Sequence, residues 1–183
     1  MSSGTPRGRV LIVAGSDSGG GAGIQADIKT VTALGGFAMT AITALTAQNT
    51  MGVFGVVSIE PDFIAEQMRV VLDDLGADVI KIGMLHNAAV IETVCRVIAE
   101  QAADLPLVVD PVMFAKGGHA LLEPDSVSAL RSLLLPLASV VTPNIPEAEA
   151  LADRRIGSVE DMQNAAHTIA SMGPAAVLLK GGH

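Results

Sequence analysis

Tryptophan and tyrosine are absent from this chain, and with four phenylalanines the aromatic share is 2%. A core built from it is therefore aliphatic, filled by Leu, Val, Ile, Ala and Met. Cysteine occurs once, as Cys95 in AVIETVCRVIAE, which excludes an intrachain disulfide and a cysteine-rich metal site. The apolar spacing around Cys95 is helical, so it is expected inside a helix as a small hydrophobe. Basic residues are few: 11 Lys and Arg against 19 Asp and Glu give a net charge of -8. That balance argues against nucleic acid or an anionic membrane surface as a general partner. No apolar run approaches the roughly 18 residues of a membrane span, and the run in MSSGTPRGRVLIVAG is too short for a signal-peptide core. The expected compartment is the cytoplasm, with no membrane partner.

What is present is 50% hydrophobic residues in 183, enough for one domain that buries roughly 70% of its unfolded surface. Short apolar runs alternate with longer stretches of helical period. Strands are expected at Arg9–Gly15, Ala38–Leu45, Val79–Gly83, Leu107–Asp110, Ser139–Thr142 and Ala175–Lys180, with a further extended piece at Val53–Ile59. Helices are expected at Ala22–Leu34, Asp62–Leu75, Asn87–Ala103, Ser126–Leu135, Pro146–Ala152 and Val159–Met172, the fifth opened by a proline that suits a first turn. This alternation is that of a parallel sheet wrapped by helices on both faces. No repeat, linker or low-complexity segment marks a domain boundary.

Open parallel sheets bind ligands beyond the carboxyl ends of their strands. There this sequence places Gly15-Ser16-Asp17, Gln48-Asn49, Met84, Asp110-Pro111, Thr142-Pro143-Asn144 and Lys180-Gly181-Gly182. The richest of these stretches is AGSDSGGGAGIQAD, Ala14 to Asp27, directly after VLIV. A dinucleotide fingerprint forced onto Gly21 to Ala26 lacks the acidic residue about 20 positions on, since no Asp or Glu lies between Asp27 and Glu60. A Walker loop fails as well, because Lys29-Thr30 follows Ile28 and not glycine. What survives is a glycine loop leading into a helix whose first turn carries Asp27, either as a ligand loop or as a tight strand-to-helix turn.

AGSDSGGGAGIQAD, ITALTAQNT, KIGML, VVDPVM, TPNIPEAE and LLKGGH occur in this order and spacing. Together they resemble hydroxymethylpyrimidine/phosphomethylpyrimidine kinase of thiamine biosynthesis, from about Arg9 to His183. The resemblance implies a ribokinase-like fold, a three-layer αβα sandwich with a mostly parallel central sheet, and ATP and Mg²⁺ as cofactors. It implies that Asp27 and Gln48 bind the aminopyrimidine substrate, with Gly15, Met84 and Val112 completing the pocket. It further implies that Asp110, Asn144, Glu147 and Lys180 lie at the nucleotide phosphates, Asp110 and Glu147 reaching the metal through water. A small pyrimidine is the implied partner, and a homodimer is left open. His86, His119 and His167 are expected in solvent or on helix surfaces and not in catalysis. Members of the family continue past the lysine-glycine-glycine motif into a glycine-rich segment, resembling G-T-G-C or G-A-G-D, that holds the anion hole and the base. The chain is thus expected to form a single ribokinase-like domain without its C-terminal third and without a catalytic base of its own. A pyridoxal kinase and a non-catalytic pyrimidine- or nucleotide-binding module are the alternatives.

Overall fold

The computed structural model describes residues 6–114 and 121–181. Strand β1 (Arg9–Ala14) is an interior strand of a parallel sheet with β2 (Phe37–Ile42), β5 (Val79–Ile82), β6 (Leu107–Val109) and β7 (Val140–Val141), in the order β2-β1-β5-β6-β7. Its sequence RVLIVA is apolar without alternation because both faces of the sheet are covered. Leu11 and Val13 join the larger core cluster with Ile64, Met68, Val94 and Ile98, whereas Ile12 and Ala14 meet Ile24 on the opposite face. Burying a Leu, Ile or Val side chain is worth about 1.5–3 kcal/mol, so β1 anchors the layers on both sides.

Helix α1 (Gly23–Ala33) packs on β1 and β2. On the other face α2 (Pro61–Asp74) and α3 (Ala88–Gln101) pack against each other, and Cys95 is buried in α3 as expected. Beyond β7, α5 (Ile145–Ala152) pairs with α6 (Val159–Ala170). The three-layer α/β architecture read from the sequence is the one observed. No helix among the described residues is long and apolar enough to cross a membrane.

Three local expectations are corrected. The second strand does not run from Ala38 to Leu45: it stops at Ile42, and a separate antiparallel pair follows, β3 (Ala44–Asn49) with β4 (Gly52–Ser58). The chain leaves the sheet at Thr43, whose N–H still donates to the Ala14 carbonyl at 3.1 Å while its own carbonyl accepts from the Ile59 N–H at 3.0 Å, and Gln67 of α2 closes the free edge of β2 by accepting from the Ile42 N–H at 2.9 Å and donating to the Ile42 carbonyl at 3.2 Å. Next, Ser126–Leu135 is not one α-helix. A 3₁₀ turn (Pro124–Ser126), α4 (Val127–Ala129), a π turn (Leu130–Leu134) and a second 3₁₀ turn (Leu135–Leu137) follow one another. Pro136 has no N–H to continue an α-helical ladder, and the last turns give way to π and 3₁₀ bonding before and across it. Finally, Ala175–Lys180 forms no regular strand. It touches the sheet through one parallel bridge, Val177 to Val141, and follows the chain on either side of β7 through the Ala175 N–H donating to the Ala138 carbonyl at 3.0 Å and the Lys180 N–H donating to the Pro143 carbonyl at 2.8 Å.

Candidate substrate pocket and phosphate edge

Asp17 accounts for the glycine stretch. Its carboxylate, 5% exposed, accepts from the backbone N–H groups of Gly19 at 2.8 Å, Gly21 at 2.9 Å and Ala22 at 2.8 Å, while its own N–H donates to Gln25 Oε1 at 2.7 Å. Successive N–H groups in such a loop form an anion-binding concavity. Here the chain supplies the anion itself. The glycines allow the main chain to fold around a side chain, and α1 begins immediately afterwards at Gly23. Asp27 therefore lies in the second turn of α1, not the first as expected, and α1 has no acidic residue in its first turn. Helix-dipole stabilisation, confined to the end turn, does not account for Asp27.

The β3–β4 hairpin closes over this loop. Ser18 Oγ donates to the Gln48 carbonyl and accepts from the Gln48 N–H, both at 2.8 Å. Thr46 Oγ1 donates to the Ser16 carbonyl at 2.9 Å, and Ser16 Oγ accepts from the Thr46 N–H at 3.1 Å. Thr43, fully buried at the base of the hairpin, donates from its hydroxyl to the Met84 carbonyl at 2.6 Å. The register of β3 against β4 shifts between Ala47 and Gln48, and such bulges re-aim side chains. Gln48 thus reaches the site from inside a hairpin, and not from a loop after a sheet strand.

Between loop, hairpin and strand ends lies a cavity of about 340 Å³. Gly15, Asp27, Gln48, Met84 and Val112, the five residues expected at the substrate, all line it, together with Asp110. Met84 is 7% exposed and Val112 packs beside it, so one wall is apolar. Lys81 lines the cavity too and was not anticipated: its Nζ lies 2.6 Å from Asp27 Oδ2, each side chain 23% exposed. A lysine inside the apolar run VIKI is the one signal that could have singled it out.

The expected nucleotide residues cluster next to this cavity. Lys180 Nζ donates to Asp110 Oδ1 at 2.8 Å, and Thr142 Oγ1 donates to the same oxygen at 3.2 Å. Asn144 caps α5: its Oδ1 accepts from the Glu147 N–H and the Glu147 carboxylate accepts from the Asn144 N–H, both at 2.9 Å. Glu147 is 3% exposed, and burial, with the nearby Asp110 charge adding to it, raises its carboxyl above the usual range against the bond from Asn144 and the charge of Lys180. No group of three metal-ligating side chains occurs among the described residues. His86 Nδ1 lies 3.1 Å from the Leu121 carbonyl oxygen and His167 is exposed on α6, whereas His119 and Gly182 lie outside the described residues.

A family model for phosphomethylpyrimidine kinase matches residues 17–183. The bifunctional thiamine biosynthesis protein ThiED of Geobacter sulfurreducens is 52% identical over 97% of this chain and 36% of its own length. The hydroxymethylpyrimidine/phosphomethylpyrimidine kinase of Bacillus subtilis is 50% identical over 96% of this chain and 64% of its own. This chain therefore spans less than two thirds of either relative. A crystal structure of phosphomethylpyrimidine kinase from Clostridium difficile superposes with a TM-score of 0.88 at 44% identity, covering 96% of this chain and 75% of that one. Pyridoxal kinase from Staphylococcus aureus in complex with AMP-PCP superposes with a TM-score of 0.86 at 38% identity, covering 98% of this chain and 64% of that one. A model matched over most of the length, and relatives half identical across nearly all of it, establish that this chain belongs to the phosphomethylpyrimidine kinase family.

Proposed function

We propose that the chain carries the pyrimidine pocket and the phosphate edge of an ATP-dependent kinase of thiamine biosynthesis, acting on hydroxymethylpyrimidine and its monophosphate. The observation that carries this reading is the single cavity shared by Gly15, Asp27, Gln48, Met84 and Val112, with Asp110 in its lining. Met84 and Val112 offer apolar surface to a flat ring. Gln48 has both a donor and an acceptor for the edge of that ring, and the Asp27 carboxylate accepts from an N–H or hydroxyl. At Gly15 a Cβ would stand 3.2 Å from Met84 Sδ, so glycine keeps that wall open to the ring.

On the phosphate side, Lys180 contributes the positive charge next to Asp110. Asn144 acts by fixing the first turn of α5 and, with it, the position of Glu147. Asp110 and Glu147 fit Mg²⁺ held through water, since each already has an oxygen engaged and Mg²⁺ usually takes one or two carboxylates and keeps several waters. When bound, that ion neutralises charge on the phosphates. Phosphoryl transfer rests mostly on positioning and charge, which suits residues of this kind. Among the described residues, every carboxylate lining the cavity already has a partner: Asp17 holds the loop N–H groups, Asp27 holds Lys81 and Asp110 holds Lys180. We infer that the base for the substrate hydroxyl is not among these three.

Calorimetric titration with hydroxymethylpyrimidine, without nucleotide, tests the pocket. Saturable binding is expected, and Gln48→Ala should weaken it by about 1–3 kcal/mol because a buried ligand amine loses its partner. Unchanged affinity in that variant would remove Gln48 from the site.

A further inference from the structure

Lys81 sits in β5 between two buried residues, Ile80 and Ile82, opposite Ile12 of β1 and Val108 of β6. A charge on an interior strand is unfavourable unless it is paired, and Asp27 of α1 supplies the pairing at 2.6 Å. Room for the ammonium is built into the backbone. At Gly83 a Cβ would lie 3.1 Å from Lys81 Nζ and 2.9 Å from the Ala14 Cβ, so a larger residue would press on both. An ammonium has three donors. Asp27 takes one, and among the described residues Lys81 Nζ makes no other hydrogen bond. The ion pair therefore offers the cavity a carboxylate acceptor immediately beside unspent N–H donors.

We propose that Lys81 and Asp27 together read the edge of the aminopyrimidine, Asp27 accepting from one N–H of the exocyclic amine while Lys81 donates to the neighbouring ring nitrogen, which leaves the second N–H of the amine to the Gln48 side-chain carbonyl oxygen. Lys81 is then a specificity-determining residue of the pocket. The assignment rests on the pyrimidine reading of the cavity. An aminopyrimidine edge sets a donor next to an acceptor, the complement of the Asp27–Lys81 pair. The corresponding 4-oxo pyrimidine sets an acceptor next to an N–H, so it opposes carbonyl to carboxylate and N–H to ammonium. Lys81 as a mere structural counter-ion would not separate the two ligands.

The test titrates 5-hydroxymethyl-4-aminopyrimidine and its 4-oxo analogue into the wild-type chain and into Lys81→Met and Lys81→Arg, with thermal melts to establish that each is folded. The expected result is a wild-type preference for the amino ligand that falls about tenfold or more in Lys81→Met and is largely kept in Lys81→Arg, which retains charge and donors. Should Lys81→Met fail to fold, the Arg variant alone decides, because loss of the preference with the positive charge retained contradicts the assignment. Equal weakening of both ligands in Lys81→Met, with the preference intact, overturns the assignment and leaves the pocket reading standing. A wild-type chain that binds neither ligand overturns the pocket reading and this assignment with it.

Discussion

At Gly23 the backbone has φ +56°, and a Cβ there would lie 2.5 Å from the Gly15 carbonyl oxygen. Both facts concern the strand-to-helix turn that shapes one side of the cavity. The Ile24 N–H donates to that same carbonyl at 3.0 Å, so the turn cannot open without loss of a hydrogen bond. Gly23→Ala should therefore destabilise the fold by about 1–3 kcal/mol, the range for a side chain held in sparsely populated backbone space. Urea denaturation monitored by circular dichroism checks the value. Stability equal to wild type would mean that the turn relaxes freely. Asp17 illustrates the same scale from another side: glycines suggestive of a phosphate loop enclose a carboxylate of the chain itself.

Among the elements, β1 and β5 are tied at their entry by Arg9 and Asp78. The Arg9 N–H and guanidinium both donate to Asp78, at 2.7 Å and 2.8 Å, and the Asp78 N–H returns to the Arg9 carbonyl at 2.9 Å. The guanidinium hydrogen bond, seconded by the Arg9 N–H, brings the Asp78 carboxyl down to about 2. A depressed folded-state value means that the unfolded chain binds more protons across the intervening range. The contribution of Asp78 is thus present above the ordinary value of 3.8 and fades as the pH falls toward 2. Asp78→Asn should be slightly less stable than wild type at pH 6, the pair being solvent-exposed, and the gap should close between pH 4 and pH 2. Thermal melts of both proteins across that range decide it, and a gap that widens on acidification would contradict the assignment.

For the molecule as a whole, binding and turnover should separate. The proposed pyrimidine contacts all come from described residues, whereas each carboxylate in the described cavity lining is already engaged by loop N–H groups or by a lysine. The 183-residue chain is accordingly expected to bind hydroxymethylpyrimidine yet release ADP at least about 10²-fold more slowly than a full-length kinase such as the Bacillus subtilis relative, given what general bases and preorganised donors contribute. A coupled assay at matched pyrimidine occupancy measures this. Equal rates would require a base among residues assigned here to other roles.

The parallel sheet and its covering helices were legible in the sequence because they follow from local rules. Doubly buried strands read as apolar runs, helices as a 3.6-residue period, and Pro146 and Cys95 obeyed the preferences of their types. The residues at the strand ends were legible for a related reason, since the carboxyl edge of a parallel sheet is where loops of polar residues gather. Contacts between residues distant in sequence were not. Gln67 closes the edge of β2 at Ile42 from 25 residues away, Lys180 reaches Asp110 across 70, and Lys81 meets Asp27 across 54. Periodicity carries no information about such pairs, because each depends on which faces the sheet and helices bring together once packed. Composition, motif order and the alternation of elements were decided by the chain itself, while the separate hairpin that carries Gln48 and the ion pair beside it were decided only by the tertiary fold.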